Sequence, residues 1–229
     1  MSHALDNPVW ESLISRHAAL ARRAGNAARY PSDTAPFVAV GIADSAAAEE
    51  LASLVEVGES VLFVGMTPPL GTGWSVEPEV LIAQMTCDAR LSVNDGPPIV
   101  ELLPDRVDDM LALTALVYPF YFRPRTVTMG RYFGIYDGDT LAAMAGERMR
   151  FDGHQEISAV CTHPDYTGRG HAQRLVAALT NDILDSGRVP FLHVAHQNVR
   201  AKALYERLGY TMRAEIPLVA VTRLGEGEG

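Results

Sequence analysis

The chain has 229 residues, nearly half of them apolar and about a fifth charged, which is ordinary globular composition with ample material for a core. Its formal net charge of −9 excludes broad, backbone-driven nucleic-acid binding, because no basic stripe exists to release counterions; it suits a cationic partner such as an amine. Two cysteines, Cys87 and Cys161, are too few for a disulfide framework and lack metal-ligand spacing, so a reducing cytoplasm is the expected location.

The N-terminus "MSHALDNPVWESL" has neither a basic n-region nor an apolar h-region, so no signal peptide is expected. No apolar run approaches the roughly 20 residues of a membrane-spanning helix, and no membrane role is expected. The first helix is predicted from Pro8, capped by Asn7, with Trp10, Leu13, Ile14, Ala18 and Ala21 on one face. A strand "FVAVGIA", a helix "DSAAAEELASLVEVG", a strand "SVLFVGM" and a strand "VLIAQMTCDA" follow. The punctuation "NDGPP" divides the chain into an N-terminal α/β lobe, residues 1–97, and a second domain, residues 98–223. The glycine-rich acidic tail, residues 224–229, reads as a solvated end.

In the second domain "IVELL" reads as a strand, and a helix begins near Pro104 with Val107, Met110, Leu111, Thr114 and Val117 inward. An irregular aromatic stretch "YPFYFRPRTVTMG" precedes two strands that flank Gly138-Asp139, a hairpin signal. "HQEISAVCT" is a strand, a helix runs from Ala172 to Gly187, and "VPFLHVA" is a central strand. A short helix capped by Asn198 and stopped by Gly209 follows, and "YTMRAE" and "PLVAVTR" supply two last strands. The pattern is α/β: a mixed sheet with helices on its faces.

The stretch "HPDYTGRGHA", from His163 to Ala172, joins a strand to a helix through two glycines. Such a turn places backbone N–H groups at the positive end of a helix and can bind phosphate; it can equally be a plain tight turn. A dinucleotide fingerprint counted from Gly168 needs a small third residue where Gln173 stands, and the Lys-Ser/Thr of a Walker loop is absent. An oxidoreductase reading is therefore poorly served.

Read from Thr167, "TGRGHA" resembles the R/Q-x-x-G-x-G/A signature of the GCN5-related N-acetyltransferase (GNAT) superfamily, with Gly170 and Ala172 at its small positions. "NVRAKALYERLGY" resembles the second signature of that superfamily, and the element order from Ile99 to Arg223 resembles its whole fold. The branch most resembled is the FR47-like one, related to the C-terminal acyl-CoA domain of glycine N-acyltransferases. The N-terminal lobe resembles a degenerate half of the same fold. Thr167 departs from the usual Arg or Gln, a departure that bears on cofactor affinity.

The resemblance implies transfer of an acetyl group from acetyl-CoA to an amine of a small molecule or amino acid, by direct attack in a ternary complex and without a metal. It implies pyrophosphate on the loop Thr167, Gly168, Arg169, Gly170, His171, Ala172 and Gln173. The pantetheine arm would lie along Val160, Cys161 and Thr162 and touch Asn198, which also reads as a plain helix cap. Tyr205 is the implied acid for the departing thiolate and Glu156 the implied base, with Glu147 or ordered water as rivals. By period two, Glu156, Ser158, Val160 and Thr162 share a face unless a bulge intervenes.

His193 and His196 are a poor metal pair, since a strand sends them to opposite faces. His171 reads either as a phosphate contact or as solvated, and Cys161 reads as inert packing. Tyr118, Phe120, Tyr121 and Phe122 are candidates for lining the acceptor pocket or for the core. The N-terminal lobe is a candidate for capping the site, packing on the sheet or forming a homodimer. A non-catalytic acyl-CoA-binding module is the competing reading.

Overall fold

The computed structural model describes residues 3–119 and 121–225; Phe120 and residues 226–229 of the acidic tail lie outside the described residues. The chain forms two compact units, Met1–Ile82 with Glu215–Gly229, and Ala83–Ala214. The sequence reading divides the chain at residues 97 and 98 instead. The stretch from Ala83 to Asn94 is stitched to the second unit: Ala83 and Met85 sit in its core, Asn181 bonds both backbone groups of Leu91, and Arg174 donates to the Asn94 carbonyl.

In the first unit the strands β1 (Arg22–Ala24), β2 (Ala27–Arg29), β3 (Phe37–Val40) and β4 (Ser60–Val64) lie side by side. The first two pairings are antiparallel, and β3 runs parallel to β4. Residues Leu218–Thr222 of the last strand, β12 (Thr211–Arg223), pair with β4, and β5 (Trp74–Val76) pairs with β12. Helix α2 (Ser45–Ala52), capped by the Asp44 carboxylate, buries Ala47 and Leu51 against Val38, Val40, Phe63 and Val221.

The first helix differs from expectation. α1 spans Pro8–Ile14 and ends where the Ser15 hydroxyl donates back to the Glu11 carbonyl; Ala18 falls in a separate 3-10 turn. Ser12, His17 and Tyr30 form a buried hydrogen-bonded ring, which draws the chain out of the helix toward β1. Asn7 stands at the N-cap, yet its amide donates to the Val40 carbonyl instead of capping.

In the second unit the sheet order is β6 (Val80–Thr86), β11 (Val189–Ala195), β10 (His154–Thr162), β9 (Thr140–Phe151), β8 (Tyr132–Asp137) and β7 (Val100–Glu101). β10 and β11 are parallel, while β10/β9, β9/β8 and β8/β7 are antiparallel. The Gly138-Asp139 hairpin forms as expected, with Asp137 opposite Thr140 and Gly138 at φ +59°. Helix α4 (His171–Asp185) packs Leu175, Val176, Leu179 and Ile183 on one face of the sheet, joined there by Tyr205 and Leu208 of α5 (Val199–Leu208). Helix α3 (Val107–Val117) covers the other face through Met110 and Leu113, against Tyr132, Met144 and Cys161. The two final strands expected from the sequence are one, β12, which runs through Pro217 because the pairing with β4 begins only at Leu218.

Candidate active site

β10 leads into the glycine loop, and its local geometry decides what the loop can hold. Its pairing with β11 runs from His154↔Val189 to Glu156↔Phe191, whereas the strands themselves continue to Thr162 and Ala195. On its other side β10 remains paired with β9 as far as Thr162↔Ala143. Between Ser158 and Cys161 it takes three steps against two on β9, and Ala159 adopts φ +52°. This bulge turns the strand's alternation over. Ala159 and Cys161 pack on the α3 side and Val160 on the α4 side, so Val160 does not share the face of Glu156 and Ser158, which corrects the simple period-two expectation.

After β10, Pro164–Tyr166 form a 3-10 turn closed by the Thr167 hydroxyl, which donates to the Pro164 carbonyl. Gly168 and Gly170 both take φ +79°, and a Cβ on either would meet nothing within 4 Å. The glycines therefore serve the backbone angle, and they leave open space above the loop. Gly170 caps α4 without any side-chain hydrogen bond, and the first helical bond runs from the Arg174 N–H to the Gly170 carbonyl. The N–H groups of Gly170, His171, Ala172 and Gln173 thus have no intrahelical acceptor, at the positive end of a 15-residue helix. Arg169 lies over the Tyr166 ring, 4.6 Å from its centroid, and His171 is buried as the helix begins. Such a cradle accepts a phosphate through backbone alone. Asn198 caps α5 by accepting from the Ala201 N–H, the plain reading of that residue.

Tyr205 projects from α5 into the α4-side core, its ring 6.0 Å from that of Tyr210. Burial, reinforced by the nearby Cys161 thiol, holds its phenol protonated well above the usual range. Among the described residues no partner takes its hydroxyl hydrogen. Burial likewise raises the Cys161 thiol to about 11, so it stays an unreactive thiol at neutral pH.

Glu156 is wholly buried and fully committed. Arg148 clamps it with Nε–Oε2 at 2.7 Å and Nη2–Oε1 at 2.6 Å, the Met149 N–H donates to Oε2 at 3.3 Å, and His193 Nδ1 lies 2.8 Å from Oε1. Burial alone would raise its pKa, but Arg148 and His193 overcome that and hold it at about 2. Arg213 donates to Gln84 Oε1 at 2.8 Å, which turns the Gln84 amide nitrogen toward His193 Nε2 at 3.0 Å. His193 therefore accepts at Nε2 and carries its hydrogen on Nδ1, toward Glu156. Every donor in this chain points inward to one carboxylate with about four acceptor positions, all of them used. Such a group has little affinity for another proton. Glu147, the rival, is likewise held by Arg131, at 2.6 Å from Nη2 to Oε1.

Sequence reasoning missed this network. It pairs residues from β6, β9, β10, β11 and β12, and only the strand-alternation argument touched it, by setting His193 apart from His196. Two clefts, of about 590 and 240 Å³, flank α3; His163, at the entrance to the glycine loop, lines the smaller one, and neither is lined by residues 167–173 or by Glu156. Among the described residues no group of three or more His, Cys, Asp or Glu side chains could hold a metal, and no helix is long and apolar enough to cross a membrane.

The model of the FR47-like protein family matches residues 132–217. A GNAT-family protein from Novosphingobium aromaticivorans is 33% identical over 98% of this chain and 100% of its own, with a TM-score of 0.89. A GCN5-related N-acetyltransferase from Kribbella flavida, at 17% identity, 92% coverage of both chains and a TM-score of 0.60, shares the fold. The L-amino acid N-acyltransferase MnaT of Escherichia coli is 31% identical over 86 residues, 36% of this chain and 49% of that protein, so the match spans about half of the curated relative. With whole-chain identity to one member and an FR47-like segment around the bulged strand and glycine loop, this chain belongs to the GNAT family of acyltransferases.

Proposed function

We propose that the protein transfers an acetyl group from acetyl-CoA to the amine of a small molecule, with amino acids as the first acceptors to try. The observation that carries this is the bulged β10 leading into two left-handed glycines and an uncapped α4, beside a strand edge that β11 leaves free. Thr167, Gly168, Arg169, Gly170, His171, Ala172 and Gln173 hold the pyrophosphate, chiefly through backbone N–H groups. The exposed backbone of Val160, Cys161 and Thr162 pairs with the amide-rich pantetheine arm as an added strand would, and Asn198 borders the same arm. The choice of amino acids follows from the L-amino acid N-acyltransferase activity of MnaT.

The acceptor arrives mostly as an ammonium, whose pKa of about 10 leaves little free amine at neutral pH. It gives a proton to water, because the acceptor positions of Glu156 are already taken and both oxygens of Glu147 are held by Arg131. The nitrogen attacks the thioester carbonyl, the C–N bond forms, and the C–S bond breaks. Tyr205 gives its proton to the departing thiolate and regains one from solvent, while the nitrogen loses its second proton to water. Glu156 acts as a positioning residue: it fixes Arg148 and His193 at the point where β10 leaves β11.

The test is release of CoA thiol with an amine panel, on wild type and on Tyr205→Phe. We expect kcat to fall about 100-fold or more in the variant with little change in acetyl-CoA binding. Tight acetyl-CoA binding without turnover on any amine would refute the transfer reading and favour a binding module.

A further inference from the structure

Tyr132 of β8 stands opposite Gly146 of β9, and Gly146 stands opposite Ser158 of β10. A Cβ at position 146 would lie 2.2 Å from Tyr132 Cδ1, so the tyrosine ring lies flat across β9 in the space that glycine leaves. The ring thereby reaches from β8 toward β10, on the face covered by α3. Phe122 packs its ring edge-on against it at 5.4 Å, and Tyr118 and Tyr121 stack on each other in the same segment. Tyr132 is 1% exposed, and its hydroxyl is enclosed with no hydrogen-bond partner among the described residues. Burial raises its pKa, and although Arg148 opposes this, Glu156 and Glu147 add to it, so the phenol keeps its proton.

A buried hydroxyl without a partner weakens a fold; phenylalanine would fill the same space without that cost. Its presence is explained if something outside the chain takes its hydrogen. The position is apt: the ring lies over Gly146, in the row that Gly146 shares with Ser158, one residue before the bulge at Ala159.

We propose that the Tyr132 hydroxyl is an acceptor-binding group, donating a hydrogen bond to an oxygen of the amine substrate lodged on the α3 side of β10. The acceptor class is then an amine bearing a nearby carboxylate, hydroxyl or carbonyl oxygen, and a plain alkylamine is a poor substrate. Phe122 covers the ring, and the acceptor displaces that side chain to reach the hydroxyl. The inference rests on the acetyl-transfer reading above and adds to it the group that reads the acceptor.

The experiment compares wild type with Tyr132→Phe on matched acceptors, each an oxygen-bearing amine and its counterpart lacking that oxygen, with thermal unfolding measured in parallel. Wild type is expected to prefer the oxygen-bearing member at least 10-fold in kcat/KM. Tyr132→Phe is expected to lose that preference, to keep its KM for acetyl-CoA, and to melt at the same or a higher temperature. A lower Tm would show that the hydroxyl serves the fold and would overturn the inference. So would an acceptor preference that survives the substitution while wild type turns over normally, which leaves the transfer reading intact. If wild type acylates no amine, both fall together.

Discussion

Substituting Glu156→Gln separates a structural carboxylate from a catalytic base. In the folded protein its pKa drops from the ordinary 4.5 to about 2. Each tenfold change in proton affinity is worth about 1.4 kcal/mol, so the ionised carboxylate contributes ~3 kcal/mol to stability. The amide would also turn an N–H₂ toward Arg148 or His193, both of which donate, and breaking a buried pair in this way costs about 3–5 kcal/mol. The two estimates agree, and at about 2–4 °C per kcal/mol they predict a fall in Tm of ~6–12 °C. The sign with pH follows from a depressed folded pKa. The stabilisation is fully present above pH ~4.5 and is lost as pH falls toward ~2, so the gap between wild type and variant should close over that window. Urea unfolding of both proteins at a series of pH values measures it. A variant of unchanged stability that nonetheless lost activity would refute the argument and return Glu156 to the role of base.

Other consequences are simpler to test. Gly170→Ala should cost about 1–2 kcal/mol from its left-handed backbone alone, since the new methyl meets nothing, and it should weaken acetyl-CoA binding; calorimetry and chemical unfolding report the two. Gly170→Asp adds a carboxylate where a pyrophosphate is expected and should weaken binding further, with unchanged affinity in a folded variant arguing against the cradle. With its thiol held at about 11, Cys161 carries on the order of one part in a thousand thiolate at pH 8, so iodoacetamide should label it only after unfolding; rapid labelling of the folded protein, read by mass spectrometry, would contradict the burial account.

The parts of this protein that were legible in its sequence are those whose geometry is local. Left-handed glycines, Asn198 before α5 and the Gly138-Asp139 hairpin each announce themselves within a few residues. The boundary between the units was not legible at "NDGPP", because what assigns Ala83–Asn94 is a set of side-chain bonds from α4. The bulge at Ala159 leaves no mark either: alanine is no left-handed residue by preference, and its φ is imposed by the pairing on β9. The commitment of Glu156 depends on Arg148 across the ladder, His193 on the next strand, and Gln84 and Arg213 at long separation. A motif spacing selects the carboxylate and says nothing about how many donors already surround it.

The return of residues Glu215–Arg223 to the first unit sets an order of events in synthesis. β4 is made more than 150 residues before its partner segment Leu218–Thr222, with the whole of the second unit in between. The earlier unit therefore waits through the synthesis of the whole interior unit for its closing strand. During that interval β4 offers an unpaired edge, the kind of surface that recruits wrong neighbours. The chain's exposure to misassembly is thus greatest late in translation, and it sits on the N-terminal unit, which is first to emerge and last to be finished.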